Sequence, residues 1–253
     1  MEWPVLAIMG VATFLGALVQ AATGFGFAII AAPVFLAAMN SPGAIPILVA
    51  LHVVQSAMLV PGLWRRASRW HLKRLVLGAV TGCPAGLWLF HGTNVRGLKL
   101  TVGCVIIALI GLLLMRELQA RQTWRGAGTM GHGTAATLAT GAISGALTAL
   151  LVMPGPPLMI YFMGARQAAD VIRALSLSFF ALCYVAVTAA GIATGGMPRS
   201  AWIATILLAP VVIAGTVAGN TVGPKLGETG MQRAILTLLF LSGLGAIASA
   251  LIG

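Results

Sequence analysis

Between Trp3 and Trp64 the chain carries no Asp, Glu, Lys or Arg, a run about three times longer than one bilayer crossing needs. Its apolar stretch from Val5 to Ala22 is interrupted by Thr23-Gly24-Phe25-Gly26 before resuming from Phe27 to Met39. Inside lipid such a break leaves backbone N–H and C=O groups without helical partners, so it is tolerated where it faces protein or a watery cavity. A second break, Pro154-Gly155-Pro156-Pro157, interrupts the other half of the chain. Paired interruptions in two halves are the sequence mark of a transporter binding site.

Composition excludes most other classes. With 59% hydrophobic and 8% charged residues, the chain has more apolar surface than a water-soluble core of this size could hide. Val102 to Met115 and Ile235 to Ile252 show no alternation of apolar and polar residues, which argues against a membrane barrel. The expected fold is an all-α polytopic membrane protein with about eight long transmembrane helices and two short hairpin arms. The formal charge of +11 does not indicate nucleic-acid binding, because most basic residues lie in short connections such as Arg65 to Arg74, where they orient a membrane chain. Cys83, Cys104 and Cys183 lie in apolar segments at no metal-site or disulfide spacing and read as small core residues. Met1-Glu2-Trp3-Pro4 lacks the basic stretch of a signal peptide, so the first segment is expected to stay in the mature protein.

Apolar runs give segments near 4–22, 25–39, 43–64, 75–91, 97–115, 134–152, 156–165, 171–194, 200–222 and 231–252, the second and seventh being return arms of hairpins. An offset of 129 carries Gly16, Gly26 and Gly62 onto Gly145, Gly155 and Gly191, and Ser41 onto Asp170, both read as helix N-caps. An offset of 133 carries Gly82, Gly86 and Gly97 onto Gly215, Gly219 and Gly230. These matches predict two repeats, 1–118 and 134–253, joined by a basic linker at 119–133. If each repeat is a hairpin plus three crossings, twelve Lys and Arg fall on one side and Arg96, Lys99 and Arg199 on the other; four crossings per repeat would give nine against six. The positive-inside rule therefore favours an inverted repeat with both termini outside the cytoplasm. The pairs Gly82/Gly86 and Gly215/Gly219 read as close-packing strips, and Pro33, Pro46, Pro84 and Pro210 as tolerated kinks.

Helix N-termini at the breaks would offer free N–H groups and a partial positive charge to an anion, with no fixed cation. Gly24 and Gly26 allow close backbone approach around Phe25; Pro154 and Gly155 shape the second break, and Pro156 fits the first turn of a new helix. His52, Gln55 and Ser56 share one helical face and either pack or touch a substrate, with Tyr184 opposite Gln55 in the repeat. Gln20, Thr23, Ser144 and Thr148 flank the breaks as candidate hydrogen-bond donors, although Ser and Thr in such helices often bond their own backbone. Glu2, Glu117, Asp170 and Glu228 all lie at ends or connections, which leaves no buried carboxylate for a proton or sodium relay and only His52 as a placed proton carrier. That favours an anion path driven by its own gradient and by voltage.

Gly16, the run Ala22 to Phe27, Pro33, the run Gly141 to Gly145 and Pro154 to Pro157 together resemble the sulfite exporter TauE/SafE family of membrane permeases. The resemblance implies export of sulfite, an organosulfonate or a related small organic anion by a multi-pass protein of a bacterial inner membrane. Met153, Pro154 and Pro156 depart from that family's glycine-rich second motif. The partners implied are a small anionic substrate and the lipid bilayer; no cofactor, metal or nucleic acid is implied, and a homo-oligomer stays open. A structural subunit and an intramembrane enzyme are the rival classes. The second would need a nucleophile with its base, or a metal cluster, and His71, His91 and His132 lie in connections or segment ends without clear partners.

Overall fold

The computed structural model describes residues 3–121, 133–162 and 169–222, with the side chains of 112–121 and 169 outside that description. Among these residues the chain forms nine α-helices and no strand. They are α1 (Trp3–Thr23), α2 (Phe27–Met39), α3 (Ala44–Leu59), α4 (Arg69–Gly92), α5 (Val95–Arg121), α6 (Thr134–Leu151), α7 (Gly155–Phe162), α8 (Ala169–Ala193) and α9 (Arg199–Val222), with a 3-10 turn at Trp64–Arg66. Helices α1, α4, α6, α8 and α9 are long and apolar enough to cross a membrane, while α2 and α3 are shorter apolar helices. The expected segment 231–252, linker residues 122–132 and the end of the 156–165 arm lie outside the described residues.

Several boundaries differ from expectation for physical reasons. The segment expected at 43–64 stops being α-helical at Leu59, because Pro61 has no N–H to donate and Gly62 favours a turn; Leu63 and Trp64 donate instead to the Val60 carbonyl. The segment expected from residue 75 starts at Arg69, since basic side chains end the apolar pattern without breaking a helix. Neither expected N-cap acts as one. Ser41 accepts the Gly43 N–H at 3.1 Å in a local turn, and Asp170 lies inside the first turn of α8 at 3.7 Å from Arg66. Lys99, inside the expected segment 97–115, is buried one turn into α5 and donates to Asn40 Oδ1 at 2.8 Å. Cys183 is buried, but Cys83 is only half-buried and Cys104 is exposed, so Cys104 is not a core residue. Pro33, Pro84 and Pro210 lie inside α2, α4 and α9, and Pro46 sits in the first turn of α3.

Exposed Leu77, Val80, Ile107, Ile143, Val185 and Ile206 give the helices an apolar outer surface as well as an apolar core. That distribution suits lipid rather than water. Packing is closest along two seams, α4 against α6 and α1 against α9. A β-carbon on Gly78, Gly82 or Gly86 would overlap the backbone of Leu138, Ala142 or Ala146, and one on Gly215 or Gly219 would meet the carbonyls of Phe14 or Leu18. Residue numbers ascend together in both seams, so each pair of helices is parallel. With no water to expel, helices in lipid associate through such contact, and removing every β-carbon from one ridge lets the backbones meet. A Gly82→Val variant should therefore lose at least about 1–3 kcal/mol. Gly111→Val is the control, since nothing lies within 4 Å of its added carbon. Thermal unfolding in detergent should show a clear fall for the first and little change for the second.

Candidate functional site

The first break is built by two glycines in the left-handed region, Gly24 at φ 87° and Gly26 at φ 112°. Gly24 N–H still donates to Gln20 O at 2.8 Å, closing α1, and the Gly26 carbonyl accepts the first bond of α2 from Ile30 at 3.2 Å. Thr23 Oγ1 accepts the Phe25 N–H at 3.1 Å and lies 2.8 Å from the Val19 and Phe25 carbonyls, donating its one hydrogen to either. Thr23 thus bonds backbone, as Ser and Thr often do in lipid. No side chain caps α2, so its first N–H groups have no acceptor within the helix.

The second break uses different chemistry. Val152 takes the left-handed conformation at φ 61°, its N–H donating to Thr148 O at 2.9 Å while Met153 N–H reaches back to Leu147 O at 3.3 Å. A branched residue in that conformation costs about 1–2 kcal/mol. The Val152 side chain is completely buried, so close packing on every side holds it in that conformation. Pro154 and Gly155 are buried, and α7 begins at Gly155. Pro156 and Pro157 lack N–H groups, so this helix start offers fewer donors than that of α2.

The two breaks meet. A β-carbon on Gly155 would lie 3.4 Å from Phe25 Cδ1 and 3.8 Å from Phe180 Cζ. Phe25 stands edge-on to Phe180 at 5.7 Å, Phe180 lies 6.3 Å from Tyr184, and the His52 ring sits between Tyr184 at 4.3 Å and Phe27 at 4.2 Å. One continuous aromatic layer therefore joins α2, α3 and α8 beside both breaks. His52 Nδ1 donates to Leu48 O at 2.7 Å, and its buried Nε2 has no partner. Gln55 Nε2 donates to Ala17 O at 2.9 Å, tying α3 to α1, while its Oε1 is buried and unpartnered. Ser56 is buried on the same helix, and Gln20 is buried one turn before the first break. Thr148 Oγ1 bonds Ser144 O at 2.6 Å, whereas Ser144 Oγ is buried without a partner.

The sequence pattern predicts no fixed cation here, although Arg173 falls at the start of the expected segment 171–194. Arg173 lies in the first turns of α8 and is half-buried against the break, with its Cγ 3.0 Å from where a Gly24 β-carbon would stand. Its Nη2 donates to Ala21 O in the last turn of α1 and to Asn220 Oδ1 at 3.1 Å, and its Nε is buried without a partner. Among the described residues no carboxylate pairs with it. Phe180 was also missed. Both were open to discovery through spacing, since Arg173, Leu177, Phe180, Tyr184 and Val187 recur at three and four residues and share one face of α8. Beyond the aromatic layer, away from Arg173, a small cavity of about 50 Å³ lies among Val49, Val187, Thr188, His91 and Met197.

A family model described as sulfite exporter TauE/SafE matches residues 8–246, nearly the whole chain, and the chain belongs to that family. It is therefore a multi-pass integral membrane transporter and not an enzyme. No curated protein and no solved structure matches it. The unequal breaks predict unequal tolerance to a methyl group. Gly26→Ala is expected to cost about 1–2 kcal/mol, because φ is positive and Val19 Cγ1 stands 3.0 Å away. Gly155→Ala, at ordinary contact distance with a helical backbone, should unfold within a degree or two of wild type in the same detergent assay.

Proposed function

We propose that this TauE/SafE transporter exports a small sulfur oxyanion, of the sulfite or organosulfonate class, by alternating access at the meeting point of its two broken helices. The observation that carries the proposal is the approach of Phe25 to Gly155, which brings both interruptions to one buried place. Gln20, Thr23, Gly24, Phe25, Gly26, His52, Gln55, Ser144, Thr148, Pro154, Gly155, Pro156 and Tyr184 are the substrate-site candidates, to which the geometry adds Arg173 and Phe180. In this account the anion meets Arg173 first, then the uncapped N–H groups of α2, where the helix dipole favours negative charge. The layer of Phe25, Phe27, His52, Phe180 and Tyr184 then separates it from the cavity at Thr188, so opening that layer is the gating step.

An inverted repeat accounts for the arrangement. If α6 corresponds to α1 and α9 to α4, the seam α1 with α9 becomes the seam α6 with α4 on exchange of halves, and the α3 with α8 contact maps onto itself. Gly82 and Gly86 meet Ala142 and Ala146, and Gly215 and Gly219 meet Phe14 and Leu18, one residue from the repeat-equivalent positions. Domains 1–118 and 134–253 would then be the two moving halves around a shared site.

Because no carboxylate is buried among the described residues, voltage is the expected driving force. One negative charge moved outward gains about 2.3 kcal/mol per 100 mV, equivalent to roughly 50-fold in accumulation. In proteoliposomes loaded with sulfite, an inside-negative potassium diffusion potential should accelerate efflux, and Gly155→Leu should abolish it while the protein still inserts; efflux blind to voltage would remove the uniport mechanism. Arg173→Gln should raise the half-saturating sulfite concentration at least about tenfold, as expected for loss of a charged hydrogen bond, with Arg173→Lys in between. An unchanged half-saturation with a lower maximum would leave Arg173 only its structural bond to the end of α1.

A further inference from the structure

At its basic end the molecule carries an outward-facing groove of about 510 Å³, lined by Trp64, Arg69, Leu72, Lys73, Val76, Leu77 and Leu182. It lies between α4 and α8 below the 3-10 turn, and Leu182 lines it from the exposed face of α8, whereas Phe180 and Tyr184 are buried. Its rim and its floor have opposite chemistry. Arg69 and Lys73 are exposed, one helical turn apart on the same face of α4, with the exposed Trp64 indole beside them. Leu77 and Leu182, both exposed, continue the groove along the apolar outer surface. Neighbouring charges are already engaged: Arg66 lies 3.7 Å from Asp170, and the Arg74 guanidinium stacks 3.6 Å over the Trp70 ring. Neither Arg69 nor Lys73 pairs with a carboxylate among the described residues.

We infer that this groove binds one anionic phospholipid, with the phosphate held between Arg69 and Lys73 and an acyl chain laid along Val76, Leu77 and Leu182. Charge complementarity selects the occupant. Two cations a helical turn apart above an apolar trough match a molecule with an anionic head and a hydrocarbon tail, and an indole at the rim suits the headgroup depth of a bilayer. A lysine and an arginine at this depth also extend their ammonium and guanidinium groups toward the lipid phosphates while their stems cover apolar surface. A zwitterionic lipid would satisfy the trough but bring a second positive charge against the rim.

The test is native mass spectrometry of the purified full chain titrated with phosphatidylglycerol or phosphatidylcholine. Each basic residue near a membrane surface contributes about fivefold to anionic-lipid binding, so the first tightly held phosphatidylglycerol should exceed phosphatidylcholine by about 25-fold. R69Q/K73Q should erase that preference without changing sulfite efflux. R96Q/R199Q, which removes the same charge from exposed positions at the other ends of the helices, should keep it. Equal retention of the two lipids by wild type, or an undiminished preference in R69Q/K73Q, would overturn the inference. So would a dimer that buries Lys73, read by cross-linking.

Discussion

A peptide group inside lipid must find its hydrogen bond within the protein, and the whole architecture answers that requirement twice. At the first break, glycine backbones turn through positive φ and a threonine hydroxyl takes up an N–H that a helix would have bonded. At the second, a reverse hydrogen bond closes α6, and a buried valine accepts an unfavourable conformation. Neither solution would survive facing acyl chains, so both breaks must be enclosed. The glycine seams serve that enclosure, because backbones that touch along α1 and α9, and along α4 and α6, hold the long helices close around the short ones.

Lipid also explains what was readable in advance. The break at Thr23 to Gly26, the short helix after it and the glycine ridge at 82 and 86 follow from rules the bilayer enforces on sequence. The helical continuation through Arg69 to Arg74 was hidden because hydropathy reports the edge of the apolar layer, not the end of a helix. That Lys99 would be buried was not legible, because a charge reads as exposed until a partner such as Asn40 is known. Arg173 was missed in the same way. Its spacing with Phe180 and Tyr184 was legible, but its seat against Gly24 depends on how α8 crosses α1, which no local pattern encodes. Paired breaks point to one shared site, but neither the contact of Phe25 with Gly155 nor the aromatic layer beside it is encoded in any local pattern.

The electrostatics are lopsided. The one ion pair among the described residues, Arg66 with Asp170, has both side chains more than half exposed and contributes at most about 1 kcal/mol. Arg173, by contrast, is half-buried with only neutral oxygens around it. A guanidinium so placed has lost part of its hydration without gaining a counter-charge, and a visiting oxyanion would restore the balance. Release would then be favoured by whatever withdraws Arg173 from the break, which ties anion affinity to the conformation of α8.

Under the inverted-repeat proposal this cation breaks the symmetry. The offset of 129 sets Met153 opposite Gly24 and Ala44 opposite Arg173, so the position equivalent to Arg173 carries no arginine. Such asymmetry would give the two access states of the proposed mechanism different affinities, but it would not set the direction of net flux, because an equilibrium is moved only by differences in free energy between its end states. In the proposed mechanism direction comes from the anion gradient and the membrane potential. There Arg173 would hold the anion beside the α2 N-terminus until the His52 and Tyr184 layer, which lies on the contact that maps onto itself, gives way.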